Sequence, residues 1–327
     1  MYDIFFGNNS NEPVVLETVR EDETFFIDVA MCQVDDCEAF FISYFKEATD
    51  SIRCAFFDFK LEGMREILVS LQNNLLVEVI SDRGHRHFTD SFMIYDNRSS
   101  FMHHKFCVID EVLVLTGSFN PTPNGRDRND NNVIAIYSKE IASSYVLFYE
   151  MLKYEIHNGL VARRNTFSDV SYRHFFRLEE TDISLCFSRG GDCRDFITSY
   201  LAGAHNSIHF MTFAFTDRVI SSMILMRFYE GLPVNGIYDR RQMSQYATYH
   251  HLSFHNVSVF HGCGPGMMHH KVFVVDEEIV ITGSFNPSRN ADERNDENVI
   301  IIRNAELAET FLKEFERITN LCMMSLE

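Results

Sequence analysis

Met102-His103-His104-Lys105-Phe106-Cys107-Val108-Ile109-Asp110 returns as Met268-His269-His270-Lys271-Val272-Phe273-Val274-Val275-Asp276, and each copy runs on into Thr-Gly-Ser-Phe-Asn-Pro. Reduced to its polar side chains and one glycine, the shared pattern is H-x-K-x4-D-x6-G-S-x-N. The first copy supplies His103, Lys105, Asp110, Gly117, Ser118 and Asn120, and the second His269, Lys271, Asp276, Gly283, Ser284 and Asn286. At roughly five per cent usage per residue type, six fixed residues match a given position about once in ten million or more, so two matches in one chain mean duplication. On a strand, side chains two apart share a face, which sets His103 with Lys105 and His269 with Lys271. Their neighbours His104 and His270 point the other way and are expected to pack or support. Asp110-Glu111 and Asp276-Glu277-Glu278 make hairpin turns, which gives Asp110 and Asp276 a supporting role.

The pattern resembles, residue for residue, the HKD motif of the phospholipase D superfamily. The resemblance implies cleavage or exchange of phosphodiesters, in lipids or nucleic acids, without a metal or other cofactor. It also implies an α/β fold: two tandem phospholipase D-like αβ sandwich domains related by a pseudo-two-fold axis, with one active site at their interface. A monomer would then be catalytically complete through this internal pseudo-dimer. In that superfamily a carboxylate following the G-S-x-N segment supports a histidine, usually of the opposite half. Compact endonuclease and Zucchini-like members carry it within N-x-E-N. Asn295-Asp296-Glu297-Asn298 matches that string, whereas Asn129-Asp130-Asn131-Asn132 has an amide in the carboxylate position. With pairing across the halves, Glu297 supports His103 and Asn131 faces His269.

Self-comparison extends beyond the motif. A chain of 327 residues has room for about two domains of ~100–200 residues. His103 and His269, Asn120 and Asn286, and Asn131 and Glu297 all stand 166 apart. Upstream, Asp36-Cys37 and Phe40 match Asp192-Cys193 and Phe196 at 156, as Ser51-Ile52 matches Ser207-Ile208, while Asp82-Arg83 matches Asp239-Arg240 at 157. Most of the excess therefore falls just before the second motif. A repeat this long is a domain, not a solenoid unit, and the expected division is 1–160, a connector over 161–178, and 179–327.

Each half reads as strand, helix, strand, helix, strand, motif hairpin and closing helix. In the first half the expected strands are 24–31, 52–59 and 75–81, with helices over 37–48, capped by Asp36, and 61–72. In the second they are 182–188, 208–214 and 234–238, with helices over 192–204 and 217–229. The additional residues fit a helix over 242–252 and a strand over 257–261. Strands alternating with helices of this length indicate an α/β sandwich. The corresponding approach to His103, over 84–101, is short and rich in Phe, Met, Arg and His, and is a place for substrate selection.

Net charge is −18, which argues against a polyanionic partner for the surface as a whole but not for the field at one site. Arg163, Arg164, Arg173 and Arg177 interleave with Phe167, Tyr172, Phe175 and Phe176. That is either an ordered connector or a strip that places phosphates on charges and bases on rings. Arg83, Arg240 and Arg241 follow matching strands and are further candidates for phosphate contact. The eight cysteines show no C-x2-C pair, so zinc is not indicated. Cys32/Cys37 and Cys186/Cys193 recur at corresponding places, where structural thiols are expected, with a redox pair or disulfide as the alternative. With no basic leader followed by an apolar run and no apolar stretch of ~18 residues, the expectation is a soluble, intracellular protein with reduced thiols.

Two such motif faces brought together place two imidazoles, two ammonium groups and two amides around one small space. Lys105, Lys271, Asn120 and Asn286 can donate to the equatorial oxygens of a phosphodiester under attack. One imidazole can attack phosphorus while the other protonates the leaving oxygen, and water then releases the phosphohistidine. The expected nucleophile is His103, supported by Glu297, with His269 as general acid and base. Near-minimal halves, the N-x-E-N string and the basic aromatic segment favour a nuclease on DNA or RNA. A phospholipase D or phosphatidyl transferase is the alternative, with Phe88, Phe92, Met93, Ile94 and Phe101 as a lipid-facing lip. A catalytically weak nucleic-acid-binding scaffold is the third reading.

Overall fold

The computed structural model describes residues 25–160, 172–188 and 192–324. The first half runs β1 (Phe26–Met31), α1 (Cys37–Glu47), β2 (Ser51–Phe56), α2 (Glu62–Leu71), β3 (Leu76–Asp82), β4 (Met93–Asp96), β5 (Lys105–Ile109), β6 (Leu113–Gly117), α3 (Pro123–Asp127), β7 (Asn132–Tyr137) and α4 (Lys139–His157). The second runs β8 (Arg173–Leu178), β9 (Thr181–Phe187), α5 (Cys193–Ala202), β10 (Ile208–Thr212), α6 (Arg218–Tyr229), β11 (Val234–Tyr238), α7 (Thr248–Phe254), β12 (Ser258–His261), β13 (Lys271–Val275), β14 (Ile279–Gly283), α8 (Arg289–Glu293), β15 (Asn298–Arg303) and α9 (Ala305–Met324).

The first sheet has the order β1-β7-β6-β5-β2-β3-β4 and the second β12-β11-β10-β13-β14-β15-β9-β8. Reversed and stripped of β8, the second is the first again. In each, the motif hairpin (β5–β6, β13–β14) lies in mid-sheet. Parallel neighbours β2 and β3 need a crossover connection, which α2 supplies. Strand alternation assigns each motif strand two apolar environments. Phe106 and Val108 enter a layer shared with Val272, Val274, Tyr145 of α4 and Phe311 of α9. Cys107 packs under α1 and α2, and Phe273 under α5 and α6. The two sheets thus face one another through a common core and are covered outside by their own helices.

Asp36 caps α1 as expected, accepting from Ala39 N at 3.0 Å. Several expectations are corrected. The helix expected over 242–252 is a 3₁₀ turn, Arg240–Gln242, followed by α7, because Asp239 accepts from Arg241 N at 2.8 Å and caps the turn early. The irregular approach to His103 contains β4, parallel to β3. Strands β7 and β15 were not read from their apolar runs. Residues 173–178, assigned to the connector, form β8, paired along its length with β9. Phe176 and Leu178 are buried on one face of this edge strand, and Arg173, Phe175 and Arg177 share the other.

All eight cysteines are paired: Cys32–Cys37, Cys54–Cys107, Cys186–Cys193 and Cys263–Cys322. The expectation of reduced thiols is corrected, and the reducing compartment inferred from them loses its basis. Cys32–Cys37 and Cys186–Cys193 join the end of a strand to the following helix in each half. Cys54 lies directly opposite Cys107 across β2 and β5, a proximity set by register and invisible in sequence spacing. No helix among the described residues is long and apolar enough to cross a membrane. Alkylation of the unreduced protein under denaturing conditions should find no free thiol. Replacing Cys54 and Cys107 together by alanine should lower unfolding stability by about 2–4 kcal/mol in a denaturant titration.

Candidate active site

Backbone exchanged between the halves builds the site. His103 N donates to Asp296 O (3.0 Å) and Asp296 N to Phe101 O (2.9 Å), while His269 N donates to Asp130 O and Asp130 N to Met267 O, both at 2.9 Å. Each motif strand is therefore extended by a bridge to the other half's polar string. The carboxylates of Asp82 and Asp239, at the ends of β3 and β11, hold Met102 N and Met268 N at 3.3 and 2.8 Å. The arrangement nearly repeats under a two-fold rotation.

The repeat breaks at one side chain. His103 Nδ1 donates to Glu297 Oε2 at 2.8 Å, whereas His269 Nδ1 donates to Asn131 Oδ1 at 2.8 Å and lies 3.2 Å from Ser118 O. In both imidazoles Nδ1 is engaged, which leaves Nε2 for chemistry. Ser284 Oγ donates to Glu297 (2.6 Å) and Ser118 Oγ to Asn131 (3.2 Å). Each serine also accepts a backbone N–H, from Asn298 and Asn132, at 3.0 Å. Gly117 and Gly283 have φ of 150° and 131°, and a Cβ on either would lie 2.3 Å from the carbonyl oxygen of Asn132 or Asn298. Glycine is required there for the serine to reach its partner.

Lys105 Nζ donates to His103 O (2.7 Å) and Lys271 Nζ to His269 O (2.6 Å). The Oδ1 atoms of Asn120 and Asn286 are buried without a partner among the described residues. Phe57 and Phe213, which sequence reasoning missed, pack against His103 and His269 with ring centroids 4.8 Å apart in both cases. Lys105 and Lys271 lie over the same two rings at 5.3 and 5.1 Å. The 156-residue offset that matches Ser51 with Ser207 also matches Phe57 with Phe213, so the signal was present.

Four basic groups share this space, and among the described residues Glu297 is the carboxylate hydrogen-bonded to one of them. Burial lowers His103 below the ordinary imidazole range, opposed by Glu297 and reinforced by Lys105 and Lys271. His269 falls well below that range through burial and then through Lys271, Lys105 and His103. Burial brings Lys105 down to about 7 against the pull of Glu297 and Asp58, and lowers Lys271 strongly, assisted by Lys105. Burial pushes the Glu297 carboxyl up, but His103, Lys105 and the Ser284 hydroxyl hold it below its usual value. An anion placed among cations suppressed by burial favours their charged forms.

The remaining predicted residues fall outside this cluster. Asp110 accepts the backbone N–H groups of Thr49, Asp50 and Ser51, and Asp276 those of His205, Asn206 and Ser207, so both tie hairpin turns to the preceding strands. His104 meets Phe106 and Phe187 edge-on. His270 accepts from Asn132 Nδ2 (2.9 Å) and donates to Glu314 (3.0 Å). Arg83 and Arg240 are exposed on the segments following β3 and β11. Arg241 donates to Gly266 O and braces the approach to the second motif. Arg173 donates to Asp192 O (2.9 Å) and lies over Phe196, and Arg177 pairs with Asp182 at 2.6 Å. Both sit on β8, four strands from β13 and roughly 19 Å across the sheet, so the structure does not bring them to the cluster. Arg163 and Arg164 lie outside the described residues.

A family model described as "Cardiolipin synthase, PLD-like domain" matches residues 41–152 and again 197–319. The chain is 33% identical over 147 residues to a phospholipase D of Rickettsia conorii, covering 45% of this chain and 74% of that one. It is 34% identical over 122 residues to the human mitochondrial cardiolipin hydrolase, covering 36% of this chain and 47% of that one. The structure of Haemophilus influenzae phosphatidylserine synthase superposes with a TM-score of 0.66 at 14% identity, over 92% of this chain and 88% of that one, and shows the shared fold. Two copies of one family model, two interlocked sheets and two complete motifs place this chain in the phospholipase D superfamily, as a tandem two-domain phosphodiesterase.

Proposed function

We propose that the protein is a metal-independent nuclease that cleaves DNA or RNA through a phosphohistidine. The observation that carries the choice of nucleic acid is the chemistry of the cleft rim. Of the residues that would have formed a lipid-facing lip, Phe88 and Phe92 are 9% and 5% exposed, and Met93 and Ile94 pack against the core. Phe101, at 57% exposure, stands alone of the five, two residues before His103 and against Phe57, with ring centroids 5.9 Å apart. The adjoining segment carries Arg83 and Arg86, both exposed and both turned toward Asn97, Arg86 also lying over Tyr95 at 4.8 Å. One exposed ring, with guanidinium groups on the adjoining segment, suits a base and its phosphates better than an acyl chain. The lipid reading is supported by the names of two relatives, phospholipase D and cardiolipin hydrolase.

In the proposed reaction His103 Nε2 attacks phosphorus as the bond to the leaving oxygen breaks, and His269 Nε2–H gives that oxygen its proton. Water then attacks phosphorus, yields a proton to His269, and breaks the P–N bond. Lys105, Lys271 and the amides of Asn120 and Asn286 donate to the non-bridging oxygens. The phosphohistidine carries positive charge on its ring, which a carboxylate stabilises and an amide only orients. Glu297 therefore favours His103 as nucleophile. His269, suppressed in the free protein, takes its proton when the substrate anion offsets the lysines.

Glu297→Gln should lower kcat on the order of 10²–10⁴-fold, measured under saturating substrate. Asn131→Asp places a carboxylate beside His269 and raises its pKa. Because His269 acts in its protonated form, the alkaline limb of the kcat–pH profile should move to higher pH, while Asn131→Ala should not move it upward.

Substrate class is tested by incubating the protein in chelator with single- and double-stranded DNA and RNA and, separately, with phospholipid vesicles. Nucleic acid cleavage that vanishes in His103→Asn, with a KM raised about tenfold by Phe101→Ala, is the expected result. Headgroup release without nucleic acid cleavage overturns the nuclease reading, and tight nucleic acid binding without cleavage favours the scaffold.

A further inference from the structure

Asp58, His85 and His87 form, among the described residues, the one group of three whose metal-ligating atoms lie within 4.8 Å of one another. His87 Nε2 is 3.0 Å from Asp58 Oδ1, and His85 Nδ1 is 3.4 Å from Asp58 Oδ2. Asp58 follows β2 and the histidines follow β3, so the ends of two paired strands hold the group. The side chains are 22%, 29% and 30% exposed, anchored but open on one side. The cluster stands one ring away from the candidate nucleophile: the Phe57 centroid is 4.5 Å from that of His85 and 4.8 Å from that of His103.

The internal repeat supplies a control. At the offsets of 156 and 157 that match the neighbouring residues, Asp58, His85 and His87 correspond to Ala214, Gln242 and Ser244. Phe57, Asp82, His103 and Lys105 all have identical counterparts in the second half, as Phe213, Asp239, His269 and Lys271. The fold thus works without the cluster on one wall, and three ligand-type residues converge on a single point on the other. A carboxylate bridging two imidazoles accounts for the two contacts but does not require both histidines. Two imidazoles and one carboxylate with an open position are the donor set of a zinc-class cation that keeps a place for an exogenous oxygen. A tetrahedral site with bonds of ~2.0–2.1 Å separates its ligand atoms by roughly 3.3 Å, inside the 4.8 Å that spans this group.

We propose that Asp58, His85 and His87 bind one divalent cation of the zinc class on the first-half wall of the cleft, where its open position takes a phosphate oxygen adjacent to the scissile phosphodiester. The second clause rests on the phosphodiesterase reading; the first does not. The cation adds to substrate binding, and the bond-breaking steps stay with the histidine pair.

The test uses the full chain without a histidine tag, stripped with chelator, dialysed and titrated with Co²⁺ and Zn²⁺. Its comparison is the variant Asp58→Ala/His85→Gln/His87→Ser, which installs the residues of the second half. One equivalent of Co²⁺ with visible ligand-field bands, displaced by Zn²⁺ and absent from the variant, is the expected result. His87→Ser alone, at the most exposed of the three, should also lose the bands while leaving the fold intact by circular dichroism. Absence of saturable binding by the unaltered chain, or binding by the triple variant equal to that of the unaltered chain, overturns the site. With the cleavable substrate identified, Zn²⁺ should lower KM at unchanged kcat in the unaltered chain only. An unchanged KM overturns the phosphate contact without touching the binding result.

Discussion

Each half of the chain completes its motif with backbone from the other. The bridges between Met102 and Asp296 and between Asp130 and Met268 fix the polar string of one half against the motif strand of its partner. Glu297 follows Asp296 and Asn131 follows Asp130, so each bridge delivers the next side chain to the opposite histidine. Ion clusters, the first buried and the second built on a part-buried arginine, secure both bridges. Arg98 pairs with Asp96, Glu155 and Asp296, and Arg317 with Asp130 and Glu314. Removing one member of such a cluster leaves an uncompensated buried charge, at a cost of about 3–5 kcal/mol. The halves are held in one arrangement, and a difference of one residue in a loop becomes a difference between the two imidazoles.

That difference has a chemical direction. A symmetric pair of histidines beside two suppressed lysines could attack phosphorus from either side with equal ease. With Glu297 on one imidazole and Asn131 on the other, the proposed reaction gives only His103 a countercharge for its cationic intermediate. The depressed ammonium groups are the counterpart of this arrangement: in the proposed reaction the anionic substrate favours their charged forms. The asymmetry extends to the wall above His103, where Asp58, His85 and His87 stand opposite no such set on the other half.

Much of the cluster was legible in the sequence because its members lie close together along the chain. His103, Lys105, Ser118 and Asn120 fall within one hairpin, and strand alternation separates them from His104 and Asp110. The pairing of Glu297 with His103 came from family resemblance joined to the repeat offset, not from periodicity. What escaped notice depends on register and on neighbours distant in sequence. Cys54 meets Cys107 only because β2 and β5 align, and Asp58 meets His85 and His87 only because β2 and β3 end together. The arginines of β8 looked like a nucleic-acid strip because an edge strand and a basic aromatic ligand strip share the same alternation. Phe88 and Phe92 looked free because an irregular segment gives no sign of which side it buries.

The most direct measurement is the site of phosphorylation in the trapped intermediate. Acid-labile histidine phosphate is preserved by quenching a turning-over reaction into denaturant at alkaline pH and is located by mass spectrometry of peptides. Phosphate on His103 is the expected result. Phosphate on His269, or equally on both, contradicts the division of labour that Glu297 and Asn131 impose.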